Sequence, residues 1–315
     1  MSESAELELW RLMRGALTAR ALGIAADLDV AGALGNGPLP VAELARSSGV
    51  SEDALRRVLR ALASEGVFAE VSPGVFRNTD TSELLARGNQ RAFAHLFGGV
   101  FHRASGELDA SGSEAFSRTF GRDYWTWLAE RPQERAMFDR AMAGGAAGRA
   151  ERLASVTWRG DETVVDVGGG NGSSLMSLLE RVPTLHGIVF DLPETVRDES
   201  ALGERIEFVA GSFFERVPPG DVYVLSGILH DWNDERAAAI LRAVRAAAPD
   251  DGRLLILDAV LAEGNEPHES KWLDLLMLAL VDGRERDEKD WRTLLAGARF
   301  EPTEIRDGLI EATCR

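Results

Sequence analysis

The chain has 315 residues, 45% of them apolar, a single cysteine and a formal net charge of −16. That length and apolar share suit two domains, each with a sizeable core. The lone Cys314 excludes an intrachain disulfide and points to a reducing compartment, and the acidity argues against a polyanionic partner, because nucleic-acid binding relies on lysine and arginine to neutralise phosphates. No apolar run of about twenty residues occurs, and Glu3, Glu6 and Glu8 stand where a secretory signal carries basic residues. A cytoplasmic protein without membrane association is expected.

In chain order, Leu7, Leu9, Trp10, Met13, Leu17 and Leu22 first give an apolar helical face, suited to a partner subunit or to an ordinary core. Residues 41–78 then read as a winged helix. Val41 to Ser47 is one short helix, Ser51 caps a second that runs to Ser64, and Val67 to Val71 with Val75-Phe76 form a wing around Pro73-Gly74. Such a fold can read DNA. Here the second helix opens on Glu52 and Asp53, and Arg46, Arg56, Arg57 and Arg60 are outnumbered by Glu43, Glu52, Asp53, Glu65 and Glu70, so no nucleic-acid partner is expected. A helical stretch from about Ser82 to Ala154 follows. Within it Gly106 to Ser113 is small and polar and reads as a loop. Phe138 and Met142 lie one helical turn apart on one face, and the run Gly144-Gly145-Ala146-Ala147-Gly148 leaves backbone with little side-chain bulk.

The second half carries the chemistry. A strand from Thr163 to Val167 includes Asp166 and runs into Gly168, Gly169, Gly170 and Gly172; Asp191 ends a second apolar run nineteen residues past Gly172. Strand, glycine turn, helix and a strand ending in an acid make a nucleoside-binding βαβ unit. A dinucleotide site needs a third glycine at position 173, which is Ser173. A third strand, Ile206 to Ala210, leads to Gly211-Ser212-Phe213-Phe214, where an aromatic could stack on a base or sit in the core. Val222 to Leu229 reads as a fourth strand ending in His230-Asp231-Trp232, aimed at the crevice beyond the strands' carboxyl ends, with Asn233 capping the helix Asp234 to Ala248. The strand Leu254 to Leu257 ends in Asp258, Trp272 and Met277 lie on a helix Ser270 to Leu280, and Asp287 to Asp290 caps the last helix.

Asp-Val-Gly-Gly-Gly-Asn-Gly (166–172), Phe-Asp-Leu-Pro (190–193), Gly-Ser-Phe-Phe (211–214), Leu-His-Asp-Trp (229–232) and Asp-Gly-Arg-Glu-Arg (282–286) resemble, in this order, the class I S-adenosylmethionine-dependent small-molecule O-methyltransferases. These are typified by plant caffeate and flavonoid enzymes and by bacterial enzymes that tailor antibiotics and other secondary metabolites. The resemblance spans nearly the whole chain. It implies an α/β, Rossmann-like methyltransferase domain with an N-terminal, mainly helical winged-helix dimerisation domain, divided as 1–100, 101–154 (connecting helices at the substrate pocket) and 155–315. It places Asp166, Gly168, Gly170, Gly172, Asp191, Leu192, Ser212, Phe213, Ser226 and Trp232 on S-adenosylmethionine, and Phe138, Met142, Asp231 and Met277 on a small aromatic acceptor, with S-adenosylhomocysteine as product, no metal, and a homodimer formed through the N-terminal domain. Ser212 replaces an aspartate of many relatives, Ser226 replaces a lysine of plant enzymes, and the 106–113 segment is shorter than usual.

A phenol titrates near ~10 and needs a base with a pKa near ~7. His230 is the candidate, oriented by Glu285 first and Asp258 second, where the family has its flanking acids. Asp231 is adjacent, but strand alternation would turn it away. Three alternatives compete: a metal held by His230, Asp231, Asn233 and Asp234, the same fold reused for hydroxylation, decarboxylation or a pericyclic step, and a winged-helix regulator that senses S-adenosylmethionine. The presence of His230 favours methylation, and a helix start explains residues 231, 233 and 234 more simply than a metal.

Overall fold

From Thr163 onward, short apolar runs alternate with amphipathic helices, the pattern of a parallel sheet covered on both faces. A computed structural model describes residues 3–109, 115–193, 195, 205–306 and 308–315; the second half of the expected loop 106–113, from residue 110 on, lies outside them. The chain forms two compact units, Met1–Glu107 with Glu130–Gly144, and Leu108–Ala129 with Gly145–Arg315.

The second unit holds a seven-stranded sheet. Its strands are β4 (Thr163–Val167), β5 (His186–Asp191), β6 (Ile206–Ala210), β7 (Val222–Ser226), β8 (Arg253–Leu257), β9 (Phe300–Arg306) and β10 (Leu309–Cys314), following β1 (Leu39–Pro40), β2 (Phe68–Ser72) and β3 (Val75–Asn78) of the first unit. The order is β6-β5-β4-β7-β8-β10-β9, parallel from β6 to β8, with β10 antiparallel to β8 and to β9. Successive side chains of a strand point to opposite faces, so Val165, Val167, Tyr223, Leu225, Leu254 and Ile256 pack on one side with Ile240, Leu241 and Trp291. Val164, Val222, Val224 and Leu255 pack on the other with Leu175, Leu178 and Leu179. The chain leaves β4 for β5 on one side and later takes β7 on the other. That switch opens a crevice beyond the carboxyl ends of β4, β5 and β7.

The first unit contains the expected winged helix. Helices Val41–Ser48 and Glu52–Ser64 pack with the sheet β1-β3-β2 around Leu44, Leu55, Leu59, Leu62, Phe68 and Phe76, and Ser51 Oγ caps the second helix by accepting from the Ala54 amide. Leu7, Leu9, Trp10, Met13 and Leu17 are all exposed on the helices Glu3–Met13 and Gly15–Asp27. No described helix is long and apolar enough to cross a membrane.

In the same unit His95 joins three helices, its Nδ1 2.6 Å from Asp27 and its Nε2 3.1 Å from Glu134. The hydrogen bond to Asp27, then that to Glu134, push its pKa up to about 9 against a lowering by burial. A raised histidine stabilises fully below its unfolded value near ~6.5 and ceases to do so as pH climbs through the folded one. Because both partners are partly exposed, the contribution is about 1–2 kcal/mol. Thermal melts should show the wild type ahead of His95→Ala at pH 6 and the gap closing by pH 9.5; a constant gap would contradict it.

Candidate active site

The glycine loop follows β4 directly. Gly168, Gly170 and Gly172 take φ of 75°, 61° and 76°, a region other residues rarely occupy, and a Cβ on Gly172 would stand 2.8 Å from Val189. Asp191 ties this loop to the end of β5. Its carboxylate accepts from the Gly170 amide (2.8 Å) and from the Leu192 amide (2.7 Å). Asp166 is buried beneath the loop, and a Cβ on Gly169 would lie 2.8 Å from its carboxylate. Burial pushes the Asp166 carboxyl up to about 7, against the pull of Arg149 and with a further push from Asp191.

Next to the loop, β7 stops at Ser226, three residues earlier than the sequence reading has it. Gly227 turns to φ 64° and Leu229–Asp231 forms a 3₁₀ turn. His230 therefore sits on a tight turn beyond the strand, and strand alternation no longer governs its neighbour. Asp231 is expected to point away from His230; instead its Oδ1 lies 3.6 Å from Nε2, because a 3₁₀ turn of three residues places successive side chains about a third of a revolution apart.

The segment Asp282-Gly283-Arg284-Glu285-Arg286 clamps this turn. A Cβ on Gly283 would collide with the His230 carbonyl oxygen, so only glycine admits the approach. The Arg284 amide donates to that carbonyl at 2.9 Å. Glu285, whose side chain is fully buried, places Oε1 2.7 Å from His230 Nδ1, while its own amide donates to Asp274. The guanidinium of Arg286, 0% exposed, donates to the carbonyls of Leu229 and Trp232 and to the Asp234 carboxylate, at 2.8, 2.8 and 2.9 Å. Only Glu285 of this motif carries an expected role. The roles of Gly283, Asp274 and Arg286 are not read in sequence, since their partners lie some 10 to 60 positions away.

Asp258 takes a different place from Glu285: its Oδ1 accepts from the Gly227 amide at 2.8 Å and holds the start of the turn. Burial lowers the His230 pKa, but Asp231, the hydrogen bond to Glu285 and then Asp258 push it up to about 10. Three acids converge on one imidazole and favour its cation. Burial raises Asp231 to about 7 and raises Glu285 as well.

Other expected residues are placed as follows. Phe213 and Phe214 lie edge to face, and Trp232 lies edge-on to both, with ring centroids 6.2 and 4.9 Å away. Ser212 Oγ accepts from the Phe214 amide, Leu192 is exposed and Met277 is buried. Phe138 and Met142 stand on the helix Pro132–Ala143 in the other unit. Trp272 is exposed. The caps are as read: Asn233 accepts from the Arg236 amide and Asp287 from the Asp290 amide. No group of three or more His, Cys, Asp or Glu side chains positioned for a metal ion occurs among the described residues.

A sheet with this switch point, a glycine loop tied to an acid and a clamped histidine narrows the possibilities. Comparison decides among them: residues 101–301 match the model of the O-methyltransferase domain and residues 10–88 that of the O-methyltransferase dimerisation domain. The chain belongs to this O-methyltransferase family. It is similar to the phenazine O-methyltransferase PhzM of Lysobacter antibioticus, 38% identical over 93% of this chain and 90% of that one. It is also similar to the O-demethylpuromycin-O-methyltransferase of Streptomyces alboniger, 37% identical over 96% and 85%. The O-methyltransferase NcsB1 from neocarzinostatin biosynthesis, solved with S-adenosylmethionine and 2-hydroxy-5-methyl naphthoic acid, shares the fold with a TM-score of 0.84 at 31% identity, over 95% of this chain and 96% of that one.

The residues of this methyltransferase fit a sulfonium nucleoside. The glycines bring bare backbone to the crevice, and Ser226 Oγ, Asp258 Oδ2 and Glu285 Oε2 are buried with no hydrogen-bond partner among the described residues. Buried polar atoms ordinarily find a partner, and a cationic ligand suits a pocket walled by carboxylates.

Proposed function

We propose that this enzyme methylates a phenolic or enolic hydroxyl of an aromatic secondary metabolite, with His230 as general base and without a metal. The methyl donor is S-adenosylmethionine, which when bound supplies an electrophilic methyl group on a positively charged sulfur. Asp191, the glycine loop, Phe213, Trp232 and Ser226 hold its nucleoside, and Asp231 and Met277 border the acceptor. Its phenazine, puromycin and naphthoate relatives support an aromatic acceptor. The matched dimerisation domain and the exposed Leu7, Trp10, Met13 and Leu17 support a homodimer through the N-terminal region.

One observation carries the base assignment. His230 Nδ1 is held at 2.7 Å by a fully buried carboxylate, which fixes the ring and stabilises the charge it acquires on taking a proton. His230 must be neutral to act, so the acids that raise its pKa have to be balanced by positive charge in the occupied pocket. His230 then accepts the hydroxyl proton at Nε2 and Glu285 stabilises the imidazolium. Removing the Glu285 charge should make His230 easier to deprotonate. The rising limb of kcat/KM against pH is therefore expected at lower pH in Glu285→Gln, with a reduced plateau; an unmoved or alkaline-shifted limb would contradict the pairing.

The functional test is incubation with methyl-labelled S-adenosylmethionine and a panel of phenolic polyketides, phenazines and flavonoids. A labelled methyl ether with stoichiometric S-adenosylhomocysteine is expected. Turnover should stay within about twofold after exhaustive chelation, where a metal-activated mechanism would lose orders of magnitude. Product labelled on carbon, or loss of activity on chelation, would refute the reading.

A further inference from the structure

We propose that Asp274 is a positioning residue for the methyl transfer: by holding the Glu285 amide it sets the Glu285 carboxylate against His230. The proposal deepens the assignment of His230 as base and rests on it.

Asp274 is the only charged residue from Trp272 to Val281, in the middle of an otherwise apolar run. Such a place does not favour an aspartate, which is a poor helix former and, half-buried there, gives up water that a carboxylate binds well. Its partner explains it. The helix Glu269–Val281 ends at Asp282, whose φ of 53° turns the chain back on itself. The returning segment lies against the helix face it has just left. The Gly283 amide donates to the Met277 carbonyl at 3.3 Å, and the Glu285 amide donates to Asp274 Oδ1 at 2.8 Å. Asp274 and Met277, three residues apart, share that face.

This bond bears on the base through the geometry of Glu285. One oxygen of the Glu285 side chain, Oε1, is 2.7 Å from His230 Nδ1, and the other is buried with no hydrogen-bond partner among the described residues. The carboxylate is therefore aimed by its own backbone, and Asp274 fixes that backbone at residue 285 itself. An ionised acceptor holds an amide roughly twice as strongly as a neutral one. The same helix packs against the turn Leu229–Asp231, so one element supports both partners of the pair, within one unit.

The test is a double-mutant cycle read as kcat with a phenolic acceptor. Asp274→Ala should lower kcat about 10- to 100-fold, the cost of misplacing a catalytic group by about 1 Å, and leave S-adenosylhomocysteine affinity within about threefold. In a Glu285→Ala background the same substitution should cost less than about threefold, because the contact it protects is already gone. Asp274→Asn, which keeps an acceptor oxygen, should recover kcat to within about fivefold of wild type. Proton NMR should show the His230 Nδ1 resonance displaced in Asp274→Ala and restored in Asp274→Asn. Asp274→Glu, which keeps the charge and moves the acceptor by one methylene, should lose an intermediate amount with the same coupling to Glu285, and it carries the test if the alanine variant fails to fold. Wild-type kcat in Asp274→Ala, or an equal loss in both backgrounds, would overturn the proposal and leave Asp274 a residue of helix packing. A Glu285→Ala variant turning over at the wild-type rate would instead sink the pairing of Glu285 with His230, and the proposal with it.

Discussion

Turnover of His230→Ala is expected to fall about 10²- to 10⁴-fold, the contribution of a positioned general base, while its affinity for S-adenosylhomocysteine changes by less than about threefold. The separation follows from where the residue sits. His230 rides on the 3₁₀ turn Leu229–Asp231, whereas the glycine loop is fixed by Asp191. Removing the ring leaves Asp231, Asp258 and Glu285 without their shared counter-charge. Burial already raises Asp231 and Glu285, so these two can take up protons at modest cost, and the variant should fold. Steady-state rates set beside calorimetry check this. A parallel loss of turnover and cofactor binding would mean that the histidine holds the pocket together.

Arg286→Met is the second large effect. Its guanidinium satisfies the Leu229 and Trp232 carbonyls and shares a charge with Asp234. Methionine fills a similar volume but donates nothing, so at least two carbonyls lose their donor at about 1–3 kcal/mol each when buried. Asp234 is more than half exposed and regains water, which limits its share. A loss of about 2–4 kcal/mol is expected, a fall in melting temperature of roughly 5–15 °C for a unit of this size. Below that temperature kcat should drop more than the affinity for S-adenosylhomocysteine, because the clamped turn bears the base. A melting point within about 1 °C of wild type would contradict the clamp.

What the sequence disclosed is what local rules govern. The strand Ile206–Ala210 and the capping roles of Ser51, Asn233 and Asp287 emerge as read, because alternation and capping act over a few residues. The glycine turn likewise emerges as read, and Gly168, Gly170 and Gly172 take the positive φ that other residues rarely adopt. Asp231 escaped for the opposite reason: the break at Gly227 ends the parity on which its direction depends. The high proton affinity of His230 was equally out of reach, since it results from acids at 231, 258 and 285 meeting at one ring. The role of Arg286 within its motif was out of reach too, since its partners Leu229 and Trp232 lie more than fifty positions away.

The central claim is that His230 takes the proton from the oxygen being methylated, and acceptor acidity tests it most directly. Wild type and His230→Ala are assayed with two phenols of one skeleton, one titrating near ~10 and one acidified toward ~7, so that the second is largely ionised at neutral pH. With the weak acid the variant should fall behind about 10²- to 10⁴-fold, and with the ionised phenol by less than about tenfold. An equal deficit with both acceptors would show that the imidazole does not act as the base.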